Sequence, residues 1–235
     1  EEYKAQREAT PEDIKLSVPI IKQIVAAYNI PILEVPGFEA DDVIGTISKL
    51  AEQSDFNVYM LTPDKDYAQL VSDKVFIYRP RHGGGYETLD VQGVKDKWGI
   101  SSPSQVIDLL GLMGDSSDNI PGCPGVGEKT AVKLLNDFNS IDNLLNSTDS
   151  LKGALKQKII DNCEKIKFSK FLATIRTDVP IEFEPEKFIL ASPNVVSLCE
   201  IFSELEFKSL LKKYSGDMNS LMKIQEFSNI QISAS

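Results

Sequence analysis

FNVYMLTPDKDYAQL, residues 56–70, decides the fold class. Its first seven residues are apolar on both faces of an extended chain, which predicts a strand inside a parallel sheet. Asp64 and Asp66 follow that strand, and the segment then reads as a short helix over 64–71. Open α/β sheets build their sites beyond the carboxyl ends of strands, so both aspartates stand where a site is expected. Downstream, KVFIY (74–78) predicts a second strand, and RPRHGGGYETL (79–89) a hairpin turn returning as a third. Its three glycines lack the Lys-Ser/Thr of a phosphate loop, and the single histidine, His82, reads as a turn or surface residue. Upstream, residues 10–28 predict a helix with Thr10 as N-cap and Pro11 at the first helical position, and with Ile14, Val18, Ile21 and Val25 at helical spacing. Residues 39–53 predict another, with Ala40, Val43, Ile44, Ile47, Leu50 and Ala51 on one face. Helix and strand alternate, which is an α/β layout.

Past residue 90 the strand signals fade. PSQVIDLLGLMG (103–114), GEKTAVKLLNDF (127–138), SIDNLLN (140–146) and the run 151–175 all carry helical periodicity with short polar joins. Residues 176–193 read as extended, and 194–214 as one or two closing helices. The expected division is an α/β core over 1–90, a helical region over 91–177, an extended segment with helices over 178–214, and a tail or linker over 215–235.

Composition bounds the function only loosely. The chain has 235 residues, an ordinary hydrophobic content of 42% and a formal charge of −10, which argues against a polyanion-binding surface spread over the whole molecule. Local basic strips remain compatible with that charge, and bound cations would reduce the negative field. No run approaches the ~18 apolar residues of a membrane span, and the opening EEYKAQREATPED lacks the apolar core of a secretory signal. Cys123, Cys163 and Cys199 are scattered and odd in number, which fits buried thiols in a reducing cytoplasm better than a disulfide framework.

Acidic residues cluster at three places. GFEADDVIGT (37–46) sets Glu39, Asp41 and Asp42 at a helix start, where the macrodipole alone would favour them. Asp64 and Asp66 could likewise cap the helix that follows them. In GDSSDN (114–119), Asp115 and Asp118 share a face if the segment is helical, and are turn formers if it is not. The conjunction of seven carboxylates at element ends points beyond local roles, to a site for hard divalent ions such as Mg²⁺ or Mn²⁺. Two such ions about 4 Å apart suit phosphodiester hydrolysis. No nucleophile elbow or second histidine offers a competing centre.

After the last acidic cluster, Gly125-Val126-Gly127 predicts a tight turn opening a helix that carries Lys129, Thr130 and Lys133. Backbone N–H groups and lysines there could hold a phosphate backbone without reading bases. The bland reading is a plain interhelical turn. Lys152, Lys156, Lys158, Lys165, Lys167 and Lys170 form a strip that reads as a solvated face, since Asp161 and Glu164 intervene. Lys4 and Arg7 stand at helical-neighbour spacing near the start.

GFEADDVIGT, LTPDKDYAQL (61–70), GLMGDSSDNIPG (111–122) and GVGEKTA (125–131), in this order and spacing, resemble the 5′-nuclease domain of bacterial DNA polymerase I, in the flap endonuclease superfamily, over residues 1–214. The resemblance implies a mixed, mostly parallel sheet in a PIN-like nuclease core, joined to a helix-hairpin-helix-like DNA-binding region. It implies metal-dependent 5′→3′ exonuclease and 5′-flap cleavage on flapped, nicked or primer–template DNA, in primer removal and repair. Glu39, Asp41, Asp42, Asp64, Asp66, Asp115 and Asp118 resemble the carboxylates around two Mg²⁺ or Mn²⁺ ions. Lys4 and Arg7 resemble the basic residues that contact the scissile phosphate. Gly125, Val126 and Gly127 resemble the hairpin that grips the uncleaved strand and can take K⁺. It also implies a cytoplasmic monomer with covalently linked polymerase domains. The family begins with two Asp-bearing strands, whereas Glu1 falls inside the arch segment, so the expectation is a fragment that is weak or inactive alone. A non-catalytic module for branched DNA, an RNA-directed PIN-like nuclease and a small-molecule phosphatase stay open as alternatives.

Overall fold

The computed structural model describes residues 4–5, 8–81 and 83–216. The expectations for Arg7, for His82 and for the tail past residue 216 lie outside the described residues. The chain divides into two compact units that follow contacts rather than chain order: residues up to 8 with 34–183, and residues 9–33 with 184 onward.

The first unit is built on a three-stranded sheet in the order β1 (Val58–Leu61), β2 (Val75–Pro80), β3 (Tyr86–Leu89). The sheet is mixed. Val58 pairs with Val75 and Leu61 with Tyr78 in the parallel ladder, and Ile77 pairs with Leu89 in the antiparallel one. Met60, Val75, Ile77 and Leu89 are buried in one continuous core with Val94, Leu109 and Leu110 from the helices. The expected burial on both faces does not hold, because Tyr59 and Leu61 are exposed. That face carries aromatic pairs instead, Tyr59 stacked on Phe76 and Tyr78 on Tyr86. Such pairs stabilise an exposed sheet face.

Helix α2 (Ala40–Gln53) packs against strand β1 and against an extended segment at 174–179. Its buried residues include Gly45, Thr46 and Ser48, whereas Ile44 is exposed, so the buried stripe is rotated from the one its apolar residues suggest. The cause is close backbone approach. A Cβ on Gly45 would lie 2.8 Å from Ile175 Cγ2 and 3.2 Å from the Arg176 carbonyl oxygen. Thr46 Oγ1 accepts from the Val179 N–H at 3.1 Å.

The helical region predicted after residue 90 comprises α3 (Val91–Trp98), α4 (Gln105–Met113), α5 (Glu128–Phe138), α6 (Ile141–Asn146), α7 (Gly153–Asp161) and α8 (Cys163–Ala173). Asp90 caps α3 by accepting from the Gly93 N–H, and Ser140 caps α6 through Asn143. Leu112, Leu135, Ile141, Leu144, Ile159 and Ile166 tie these helices into the sheet's core.

In the second unit α1 (Glu12–Ala27) packs with α9 (Val195–Glu204) and the helical residues 208–216 around Ala27, Leu198 and Phe202. Asn194 caps α9, and its own N–H donates to the Ala27 carbonyl at 2.8 Å. Pro11, not Thr10, is the N-cap of α1. Its ψ of 145° keeps it outside the helix, so the first helical residue is Glu12. Ile14, Val18 and Ile21 are exposed.

Candidate active site

The three acidic clusters meet in the first unit. Glu39, Asp41, Asp42, Asp66 and Asp118 line one open cleft of about 230 Å³. Its other wall is Ile120 with the stretch from Phe171 to Arg176, from the end of α8 onward. Asp64 and Asp115 do not line that cleft, but each is bonded to a neighbour of it.

Each acid is held by a different local device. Glu39 is the N-cap residue of α2 but makes no side-chain cap bond, and Asp41 and Asp42 fill its first turn. The macrodipole favours them there. Tertiary bonds hold both more specifically: the buried Tyr67 hydroxyl donates to Asp41 Oδ1 at 2.7 Å, and the Arg176 N–H to Asp42 Oδ1 at 2.9 Å. Asp64 turns the chain after β1, accepting from the Asp66 N–H at 3.0 Å. Gln69 then straps the far wall, donating to the Ala173 carbonyl and accepting from the Ile175 N–H, both at 2.9 Å.

Asp115 and Asp118 are not on a helix. Helix α4 ends at Met113, and residues 115–120 form a loop closed by paired backbone bonds between Asp115 and Ile120. Two glycines make this closure possible. Gly114 and Gly122 have φ of +76° and +58°, and a Cβ on Gly122 would lie 2.3 Å from the Gly114 nitrogen. Asp115 is 5% exposed; its Oδ1 accepts from the Ser117 N–H at 2.8 Å, and its Oδ2 lies 2.6 Å from Lys65 Nζ. Lys4 Nζ pairs with Glu39 and lies 3.8 Å from Asp118 Oδ2.

The electrostatics follow from this crowding. Burial, reinforced by the charges of Asp64 and Asp115, pushes the Asp66 carboxyl up to about 7. Burial also opposes ionisation of Asp115, but the bonds from Lys65 and Ser117 outweigh it and hold that carboxyl below its usual range. Burial and the bond to Asp41 raise the Tyr67 phenol, so it stays a donor. Asp66 Oδ1 is buried without a hydrogen-bond partner. A buried carboxylate oxygen left unsatisfied among like charges suits a cation. The donors are hard oxygens, which match Mg²⁺, Mn²⁺ or Ca²⁺ and not a thiophilic ion. Among the described residues no three such side chains converge into a ready cage. Instead, ammonium groups of Lys65 and Lys4 engage the acids.

Sequence reasoning missed Lys65, Tyr67, Gln69 and Arg176. Lys65 was visible between two aspartates; Arg176, stacked on Phe38 at 5.0 Å and paired with Asp178, carried no local signal.

Gly125-Val126-Gly127 forms a turn that opens a helix, as its sequence predicts: Gly127 is the N-cap of α5, Val126 is buried, and Gly125 has a φ of +74°. Lys129 and Lys133 are exposed on α5. Lys158 Nζ lies where it would crowd a Cβ on Gly125, at 2.7 Å. Elsewhere in the lysine strip Lys156 and Lys167 pair with the exposed Asp149 and Glu164, as a solvated face would, whereas Lys170 is half-buried and bridges the buried Asp108 and Asp142.

Two family models match the chain, the 5′-3′ exonuclease N-terminal resolvase-like domain over residues 1–99 and the 5′-3′ exonuclease C-terminal SAM fold over 101–195. DNA polymerase I of Bacillus subtilis is 41% identical over 233 residues, covering 98% of this chain and 26% of the relative. The thermostable DNA polymerase I of Thermus aquaticus is also 41% identical, over 224 residues, with 95% and 26% coverage. The chain thus spans about a quarter of the length of these relatives. Among solved structures, the bacteriophage T5 D15 flap endonuclease in a pseudo-enzyme–product complex with DNA and metal ions aligns with a TM-score of 0.61 at 20% identity, covering 94% of this chain and 77% of that one. The catalytic core of Rad2 in complex with DNA substrate (complex IV) aligns at 0.58 and 16% identity, with 88% and 71% coverage. At those identities the likeness is one of fold. Among the described residues no helix is long and apolar enough to cross a membrane.

Proposed function

Since this chain belongs to the 5′-3′ exonuclease family, we propose that its acid cleft hydrolyses DNA phosphodiesters, as a 5′→3′ exonuclease and 5′-flap endonuclease. The observation that carries this reading is the buried, unpartnered Asp66 Oδ1 beside Asp64, Asp115 and Asp118. A bound divalent pair, Mg²⁺ or Mn²⁺, would supply an activated water and offset charge on the leaving oxygen. Glu39, Asp41, Asp42, Asp64, Asp66, Asp115 and Asp118 would hold the ions. Tyr67, Ser117 and Gln69 orient the acids and the facing wall. Lys4, with Arg7, would offset negative charge building on the attacked phosphate.

The hairpin supports DNA as the polymer. Gly125, Val126 and Gly127 with Lys129, Thr130 and Lys133 would grip a duplex backbone, and the turn would take K⁺. Such contacts hold a flap or nick in register without reading sequence. In the division of labour we propose, residues 1–90 carry the nuclease core and 91–177 grip DNA, although Asp115 and Asp118 reach back into the core's chemistry. In the same division, 178–214 is a C-terminal extended segment with helices, and 215–235 a tail or linker. The whole protein would work in the cytoplasm as a monomer, removing primers and repairing DNA alongside a covalently linked polymerase.

Cleavage of a 5′-labelled flap duplex in Mn²⁺ tests the reading. Asp115→Asn should cut at least about a hundredfold more slowly than the unaltered chain while binding the flap in Ca²⁺ equally well. Equal cutting by both would overturn it. Equal binding with no cutting by either would make this chain a DNA-binding module that does not cleave on its own.

A further inference from the structure

We propose that Lys65 is a built-in counter-ion of the acid cluster, which holds Asp115 while no divalent ion is bound and releases it when one binds. This rests on the reading of the cleft as a metal site, and concerns a residue that reading leaves unassigned. Lys65 stands between Asp64 and Asp66, immediately before the 3-10 turn Asp66–Leu70. Its Nζ lies 2.6 Å from Asp115 Oδ2; the Asp115 side chain is 3% exposed and that of Lys65 42%. The other oxygen, Oδ1, already accepts from the Ser117 N–H and hydroxyl at 2.8 and 2.5 Å.

Asp115 is therefore held from within, by Ser117 on one oxygen and by the charge of Lys65 against the other. A carboxylate so deeply buried is costly to leave unpaired, so a cation must stand against it whenever no ion does. A lysine suits that temporary role. Its ammonium is a compact charge on a flexible stem, and partial exposure gives the stem a way out to solvent. An arginine would grip both oxygens with a planar fork and resist displacement.

One ammonium also leaves the cluster short of positive charge. Asp66 Oδ1 stays buried without a partner although Lys65 is the neighbouring residue. A hard divalent ion would bring twice the charge and several coordination positions at once. Exchange of lysine for metal is then favourable, and the lysine sets how tightly the metal must bind to achieve it. A merely structural ion pair would behave differently: its loss would lower stability without altering metal affinity.

Calorimetric titration with Mn²⁺ separates these cases, using the unaltered chain with Lys65→Met, Lys65→Arg and Asp115→Asn. Lys65→Met should bind Mn²⁺ about tenfold more tightly, a coupling of ordinary size between competing ligands. Its melting temperature should fall in chelator and rise with Mn²⁺ by more than that of the unaltered chain. Lys65→Arg should bind Mn²⁺ no more tightly than the unaltered chain. A Lys65→Met protein with unchanged or weaker Mn²⁺ affinity would overturn the proposal while leaving the metal site intact. So would one that stays unfolded even in Mn²⁺ while the unaltered chain binds the ion. If the unaltered chain and Asp115→Asn both fail to bind Mn²⁺, the metal reading itself fails, and this inference with it.

Discussion

The acid cleft and the glycine hairpin lie a few residues apart in sequence and are prepared for their ligands in opposite ways. In the cleft nearly every acid is engaged from within: Tyr67 on Asp41, the Arg176 N–H on Asp42, Lys65 and Ser117 on Asp115, and Lys4 on Glu39. At the hairpin Gly125 and Gly127 are exposed, and nothing lies within 4 Å of a Cβ built on Gly127. Like charge explains the contrast. Clustered carboxylates repel and must be propped apart or neutralised to fold, whereas an uncharged backbone turn can wait open for a phosphate.

The sharpest break in this comparison should come at the loop joining the two regions. Gly122→Ala would force a Cβ to within 2.3 Å of the Gly114 nitrogen at a φ of +58°. We expect a loss of about 3 kcal/mol or more in urea unfolding, together with loss of Mn²⁺ binding as Asp115 leaves its place. Next in size, Tyr67→Phe removes the donor to Asp41 from a buried position. It should cost about 1.5–3 kcal/mol, the usual range for a hydrogen bond to a charged group.

A pH experiment reads the crowding directly. Asp66 is raised from 3.8 to about 7, first by burial and then by Asp64 and Asp115. Between those values the metal-free folded protein holds a proton that the unfolded chain releases, so this group makes stability fall as pH rises through the interval. Asp66→Asn should remove that downward slope when urea midpoints are compared at about pH 4 and about pH 7 in chelator. The smallest effects belong to the open hairpin. Gly127→Ala should change stability by no more than about 1 kcal/mol and still weaken DNA binding by crowding the phosphate. Lys129→Ala and Lys133→Ala should each lower the slope of log affinity against log salt by about 1.

Much of this contrast was legible in the sequence because it rests on local chemistry. Gly-Val-Gly before an amphipathic run fixed the start of α5, and the acids of the first cluster fall at the start of α2 as read, Glu39 as N-cap and Asp41 and Asp42 in the first turn. The strand at 58–61 and the short turn of helix after Asp64 also follow from local pattern. What escaped depends on distant chain segments. The burial of Gly45, Thr46 and Ser48 is set by the stretch around Ile175 to Val179, more than a hundred residues away. The uncovered face of Tyr59 and Leu61 depends on where helices pack, which apolar content alone does not reveal. For Asp115 and Asp118 the choice between a helix face and a turn stays open in the sequence, and Gly114 and Gly122 at positive φ close a loop there.

An electron paramagnetic resonance titration with Mn²⁺ tests the role of the unsatisfied Asp66 oxygen most directly. The free-ion signal should be lost saturably on the unaltered chain, and Asp66→Asn should weaken that binding at least about tenfold. Equal binding by the two proteins would contradict the claim that this cleft is a divalent-metal site.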